Sequence, residues 1–281
     1  MPTNTTVSNV SPLVSYIPHS AWFEGTPKSD PNVTQYTTQS YHATNGSVSG
    51  NASLVFSWWG TGMIHGAHRT RSGSYQVVID DGRPSLYEGY SGGPESLDQV
   101  LYSASSLPAG PHQVRITNAG QHPDQSVLDF DYLVFESPMD DVDVVQHTDA
   151  ACSWLPQSEG VWQVDDSSHT TNNGAGFMDM SFTVSTGVVL YGYLNASSAS
   201  FDVSIDGWTI SSLTPNTAVA PLSQQTHALF MTDDLDPGPH TLRIENSPYA
   251  QSTSASDLSI SHAQIFGQAS AQSTGQFRCV V

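Results

Sequence analysis

The chain has 281 residues, enough for two domains that each bury a core. Its charged residues are few, 12%, and lopsided: 7 basic against 26 acidic, for a net charge of -19. Such a field repels phosphate backbones and anionic lipid, which argues against nucleic-acid and membrane partners.

The first stretch, 1–12, is polar and without hydrophobic period, and is expected to be disordered. A first module is expected over 13–137. It opens on Tyr16-Ile17-Pro18-His19-Ser20-Ala21-Trp22, passes through a breaker-rich loop, Gly25–Gln35, and then becomes strand-like. Ser53–Trp58 and Met63–Gly66 are apolar runs, followed by an expected hairpin at Arg69–Ser74. Tyr75–Gly82 alternates with period two and closes on Asp81-Gly82, a turn signal. Gln99–Ser103, His112–Asn118 and Leu128–Phe135 complete the module. A short acidic linker is expected over 138–144, and a second module over 145–281.

The second module repeats the first. Phe56, Ile64, Gly66, Tyr75, Val77, Ile79 and Asp80 return 126 positions later as Phe182, Leu190, Gly192, Phe201, Val203, Ile205 and Asp206. Leu107-Pro108-Ala109-Gly110-Pro111-His112 returns as Leu235-Asp236-Pro237-Gly238-Pro239-His240. The further strands are Asp179–Val184, Val189–Gly192, Phe201–Gly207, His227–Thr232, His240–Asn246 and Leu258–Phe266, with a second hairpin expected at Asn195–Ser200. No segment sustains a 3.6-residue period, so the fold class is all-β: two tandem β-sandwiches related by an internal repeat.

Cys152 opens the second module and Cys279 ends it; a disulfide between them is expected, with two free thiols as the alternative. Asn4, Asn9, Asn32, Asn45, Asn51 and Asn195 fit the N-glycosylation pattern, consistent with passage through the secretory pathway or an extracellular location. No metal or cofactor motif is present, nor a Gly-x-Ser-x-Gly elbow, and no cofactor is expected.

Residues shared by both copies are read as structural: His112 and His240, His42 and His169, and the turn carboxylates Asp80 and Asp206. Residues that break the symmetry are free to serve function. His65 stands where the second module has Tyr191, and the first module carries His68-Arg69-Thr70-Arg71 against Leu194-Asn195-Ala196-Ser197. A cation pair can hold a ligand carboxylate, phenolate or carbonyl oxygen, or can belong to a solvated hairpin paired with surface acids. Trp58 and Trp59 point to opposite strand faces, so one of them faces the core and the other is exposed, in an interface or in a pocket. Tyr191, Tyr193 and Trp208 form an aromatic set that suits sugars and flat conjugated ligands alike. Asp129 and Asp131, replaced by Ser259 and Ser261, are an acid/base pair or, more commonly, a solvated face. A cleft between the modules is the expected ligand seat.

The run from Phe56 to Gly66, the strand ending in Asp-Gly, and Leu-Pro-x-Gly-x-His-x-x-Arg-Ile resemble the galactose-binding-like jelly roll found in tandem in fungal extracellular proteins, over roughly 13–268. The overall character also resembles the glycosylated fungal hetero-Diels–Alderases of tropolone-sesquiterpenoid biosynthesis. That resemblance implies a cofactor-independent pericyclase, a [4+2] cyclase. It would join an ortho-quinone methide from a tropolone or phenol to a humulene-type terpene, with polyketide and terpene substrates as partners. On this reading His65, Arg69 and Arg71 hold the tropolone oxygens, while Trp58, Tyr191 and Trp208, with Trp59 and Tyr193 beside them, wall the terpene. Positioning two reactants lowers a barrier by up to ~7–11 kcal/mol without covalent catalysis. The alternative is a non-catalytic carbohydrate-binding or wall-associated glycoprotein. Nothing in the chain sets its oligomeric state.

Overall fold

A computed structural model describes residues 3–44, 52–105, 107–108, 110–137, 141–172, 176–183, 187–217, 225–246 and 257–267. The first module holds β1 (Thr3–Ser8), β2 (Ser15–Ile17), β3 (Trp22–Glu24), β4 (His42–Thr44), β5 (Ser53–Trp59), β6 (Thr61–His68), β7 (Ser74–Ile79), β8 (Ser85–Glu88), β9 (Ser96–Ala104), β10 (Pro111–Asn118) and β11 (Asp129–Ser137). The second holds β12 (Asp141–Gln146), β13 (Cys152–Leu155), β14 (Gln163–Val164), β15 (His169–Thr171), β16 (Phe177–Thr183), β17 (Gly187–Tyr193), β18 (Phe201–Ile205), β19 (Trp208–Leu213), β20 (His227–Thr232), β21 (Pro239–Asn246) and β22 (Leu258–Gly267). Two short 3-10 turns, His19–Ala21 and Val33–Gln35, interrupt the strands.

Each module is a pair of antiparallel sheets. In the first, one sheet runs β3-β4-β11-β6-β9, with β1 also on β11, and the other β2-β5-β10-β7-β8. In the second, the orders are β14-β15-β22-β17-β20, with β12 on β22, and β13-β16-β21-β18-β19, so the strand order recurs element for element. Strands that follow one another in sequence, such as β5, β6 and β7, alternate between sheets. Arg69–Ser74, expected as a hairpin, is therefore an arch from one sheet to the other: β6 pairs with β11 and β9, and β7 with β10 and β8. Period-two burial follows. Leu54, Phe56 and Trp58 of β5, Val114 and Ile116 of β10, and Phe130 and Phe135 of β11 fill one core; Met178, Met180, Val203, Leu242 and Ile244 fill the other.

Two expectations are corrected here. The segment 1–12 is not disordered where it is described: Thr3 to Ser8 pair residue by residue with Ser137 to Tyr132. β11 supplies the partners its backbone needs, and Thr5 and Val7 are buried while Asn4 and Thr6 face outward. The stretch expected as a linker, 138–144, enters β12 at Asp141, because β22 offers the same open edge to Asp141–Gln146.

The segment after β1 crosses between modules. Val10 belongs to the second module's core, and Val189, Tyr191, Ala228 and Phe266 of the second module join the first module's. Ser8 Oγ lies 2.7 Å from His227 Nδ1, Ser11 Oγ donates to the Ala228 carbonyl at 2.6 Å, and Asn216 Nδ2 donates to the carbonyls of Ser11 and Val14.

The shared residues build matched parts. His112 Nδ1 donates to Asp80 at 2.9 Å and Nε2 to the Pro108 carbonyl at 2.8 Å; His240 does the same with Asp206 at 2.7 Å and the Asp236 carbonyl at 2.6 Å. Burial works against charge on each ring, but both partners accept and so favour the imidazolium, and the pKa of each is raised. Tyr16 stacks on His42 at 4.6 Å, and its hydroxyl donates to the Asn9 carbonyl; Trp154 stacks on His169 at 4.0 Å, and its indole donates to the His147 carbonyl. The ring below reaches the same position: His42 Nδ1 is 2.8 Å from Asn9 Oδ1, and His169 Nδ1 is 2.8 Å from His147 Nδ1.

Gly66 and Gly192 are another matched pair. A Cβ on either would strike the facing carbonyl, of Asp129 or Ser259, and come within 2.7 Å of Leu101 or Leu229. Gly66→Ala and Gly192→Ala are each expected to cost about 1–3 kcal/mol by chemical denaturation, whereas Gly93→Ala, with nothing in reach of its Cβ, is expected to be near neutral. A second expectation concerns acid. Burial holds His227 neutral, with its pKa lowered to about 4, while the unfolded chain takes up that proton near ~6.5. The folded state therefore binds fewer protons in that window, and this residue's contribution is lost as pH falls through it. His227→Gln should flatten the fall in stability between pH ~6.5 and ~4 by up to one proton's worth of slope; an unchanged slope would contradict a buried neutral imidazole.

Candidate functional site

The predicted cations are consumed inside the fold. Arg69 follows β6 and is 6% exposed. Its guanidinium binds Asp30, donates to Glu95 Oε2 at 2.8 Å, and lies 3.3 Å from the Tyr36 hydroxyl. Arg71 Nη2 donates to Asp129 Oδ1 at 2.6 Å, sits 3.6 Å from Asp30 Oδ2, and its guanidinium lies 5.4 Å from the Tyr41 ring centroid. The Tyr41 hydroxyl donates to Asp30 Oδ2 at 2.9 Å, and Tyr36 and Tyr41 stack at 4.4 Å. Burial pushes the Asp30 carboxyl up, but hydrogen bonds from Arg69, the Asn32 N–H and Tyr41 outweigh it and hold its pKa low. Asp129 is pushed up by burial against the pull of Arg71.

This network holds down the long connection between β3 and β4. Its second anchor is Asp131, fully buried, which accepts from Thr38 Oγ1 at 2.5 Å and from the Thr37 N–H at 2.8 Å. Burial raises its pKa to about 6 despite these bonds. Neither Asp129 nor Asp131 is a solvated surface acid, and the Arg69–Arg71 pair is not a hairpin open to a ligand. In the second module β14 and β15 are joined by a short turn capped by Asp165, and the positions of Arg69, Arg71, Asp129 and Asp131 carry Asn195, Ser197, Ser259 and Ser261. The asymmetry tracks an insertion.

The proposed aromatic walls do not converge. Trp58 is a core residue, 5.9 Å from Phe56, with its indole N–H on the Gly60 carbonyl; Trp59 is half-buried on the opposite face. Tyr191 is buried at the module contact and stacked on His262 at 4.7 Å, and Tyr193 is half-buried. Trp208 is 78% exposed, at the start of β19 on the second module's other sheet.

His65 differs. It stacks on Tyr132, its partner across β6 and β11, at 4.4 Å and 11°. Asp98, on β9 with φ of 59°, accepts from His65 Nδ1 at 3.0 Å and from the Tyr132 hydroxyl at 2.7 Å. His65 lines a groove of about 400 Å³ with Asn4, Thr61, Ser103, Ser105 and Glu136. Thr61 Oγ1 donates to Glu136 Oε2 at 2.9 Å. Gly62, Ala104 and Val134 complete the lining, so hydroxyls, an amide, an imidazole and a carboxylate stand with a few small apolar groups. Sequence reasoning found His65 and missed Tyr132 and Asp98. A signal existed: counted at the offset that relates Asp131 to Ser261, Tyr132 answers to His262. The two modules therefore carry the same stacked pair with its members exchanged.

Among the remaining predicted positions, Asn9 is fully buried. Its amide donates to Thr38 Oγ1 and Ser40 Oγ, both at 2.9 Å, so the fold has no room for a glycan there. Asn4 is exposed; Asn32 and Asn195 are half-buried. Asn45, Asn51 and Cys279 lie outside the described residues, and with Cys279 the expected disulfide; Cys152 is half-buried. Among the described residues no group of three or more His, Cys, Asp or Glu side chains is disposed to hold a metal ion.

No protein-family model matches the chain, and no curated protein matches it in sequence. Solved structures align over most of its length with low scores. A Paenibacillus xanthan lyase covers 96% of this chain at 14% identity with a TM-score of 0.32, and the chain spans 25% of that protein. The M60 catalytic domain with two CBM51 domains of Clostridium perfringens ZmpB covers 83% at 9% identity and 0.28, with 34% of that protein spanned. The ANX2 ectodomain of Arabidopsis thaliana covers 95% at 8% identity and 0.27, with 88% spanned. At these scores the likenesses carry no argument, and the fold rests on the strand order itself.

Arg69→Met leaves Asp30 buried beside a single, more distant cation. It is expected to cost about 3–5 kcal/mol in chemical denaturation and to open the connection around Asp30 to proteolysis. A loss under ~1 kcal/mol would match an exposed pair instead.

Proposed function

We propose that the chain is a binding protein for a neutral, hydroxylated ligand, a glycan by class, seated in the groove beside His65. The observation that carries this reading is the lining itself: Asn4, Thr61, His65, Ser103, Ser105 and Glu136 offer donors and acceptors beside the apolar Val134. A sugar presents the same mixture, hydroxyls around a C–H face. Glu136 and the net charge of -19 disfavour an anionic ligand, and the arginines that could have answered one are engaged elsewhere. The groove is open and lies on one sheet face, a geometry suited to a chain-like ligand passing across. This reading places the protein outside the cell or in the secretory pathway.

One observation favours the pericyclase as a second reading. An imidazole held by Asp98 and stacked on Tyr132 can give a proton to the departing hydroxide as the C–O bond breaks and be reprotonated by the tropolone O–H, so that the carbinol becomes its quinone methide and one water leaves. His65 would act there without Arg69 or Arg71.

Native mass spectrometry separates the two, with β-glucan, chitin and galactose oligomers in one panel and a tropolone carbinol with and without humulene in the other. The first reading predicts a saturable sugar complex that His65→Ala weakens by about tenfold, the scale of one hydrogen bond. A new adduct mass formed faster than in buffer, with no sugar bound, would overturn it in favour of the second.

A further inference from the structure

The groove carries its own attachment point for a sugar. Asn4 stands on β1 opposite Glu136 of β11, exposed, at the end of the groove that Glu136 and Thr61 form, four residues along the strands from the row of Tyr132 and His65. It begins the sequon Asn4-Thr5-Thr6, whose Thr6 is also exposed. The other sequons on described residues lack this setting. Asn9 is fully buried, and Asn32 lies in the β3–β4 connection, its Oδ1 accepting from Gln35 Nε2 and its Nδ2 reaching Glu95. Asn195 sits in the arch after β17, where its Oδ1 accepts from the Ser197 N–H.

We propose that Asn4 is an N-glycosylation site and that its glycan lies along the groove from the Glu136 end over His65, so that modification decides whether an outside ligand can enter. The inference rests on reading the groove as a seat for neutral hydroxylated groups. In the modification the Asn4 Nδ2–C1 bond forms and the bond from C1 to a lipid-linked diphosphate donor breaks. The amide gives up one proton, the diphosphate leaves, and nothing is oxidised or reduced. A sugar tethered by one amide linkage has an effective concentration on the order of millimolar, enough to fill a site of weak intrinsic affinity. Its amide carries no charge, so Glu136 and the acidic surface do not oppose it.

The test uses the full chain in three forms: from a glycosylating host, from a non-glycosylating host, and as Thr6→Ala from the glycosylating host, which removes the sequon and keeps Asn4. Glycopeptide masses report occupancy at Asn4. Carbethoxylation of His65 by diethylpyrocarbonate, referred to the exposed His122 in the same sample, reports whether the groove is covered. The expected result is a glycan on Asn4, with His65 modified severalfold more slowly than in the other two forms. Two results overturn the inference: an unmodified Asn4 in protein glycosylated at Asn195, or an occupied Asn4 with His65 as reactive as in Thr6→Ala. Binding of the oligosaccharide panel by the non-glycosylated form is scored separately, so failure of the ligand reading and failure of the Asn4 inference give different data. If Thr6→Ala does not fold, endoglycosidase trimming of the wild type to one sugar and then its complete removal supplies the same comparison.

Discussion

A sandwich of two sheets buries one face of each sheet and leaves two outer faces to be satisfied. Here the outer face of the second module's six-stranded sheet is not left to water: Val189, Tyr191, Ala228 and Phe266 point away from their own core and join the first module's. Much else follows from that contact. The segment after β1 runs across it, with Val10 in the far core and Ser8 and Ser11 bonded to His227 and Ala228. Tyr191 and His262 are committed to it. In the counterpart pair, Tyr132 and His65, a groove opens beside the imidazole, so the stacked pair serves as filling in one copy and puts His65 on a groove in the other.

The architecture was legible because its signals are local and came twice. Alternation in Tyr75–Ile79 and Phe201–Ile205 and the positive-φ turn residues Asp80 and Asp206 depend on a few neighbours in sequence, and the His112 and His240 clamps, which reach back 32 and 34 residues to those carboxylates, showed because each copy has one. What failed depended on the partner. β1 is polar and β12 begins in an acidic run, and both read as coil. They become strands because β11 and β22 present edges more than a hundred residues away along the chain.

The candidate site was legible in one residue of three. Comparing the copies rightly separated shared from unshared positions, but an unshared residue has two possible origins. His65 breaks the symmetry because one module is open where the other is covered. Arg69, Arg71, Asp129 and Asp131 break it because the first module carries an inserted connection whose underside needs charges, and charges under a lid must be paired. Sequence alone does not distinguish these origins, since both put polar residues where the other copy has small or apolar ones. Asp98 left no trace in the repeat: it matters through a left-handed backbone turn that aims one carboxylate at two rings.

On this reading the His65 groove, and not the module contact, is where the protein meets its ligand. Histidine-labelled NMR of the non-glycosylated chain, titrated with the neutral oligosaccharides, tests it most directly. Saturable shifts of the His65 imidazole are expected, while His227, buried against Ser8 at the contact, stays in place. Shifts at His227 with His65 unmoved would put the ligand between the modules and contradict it.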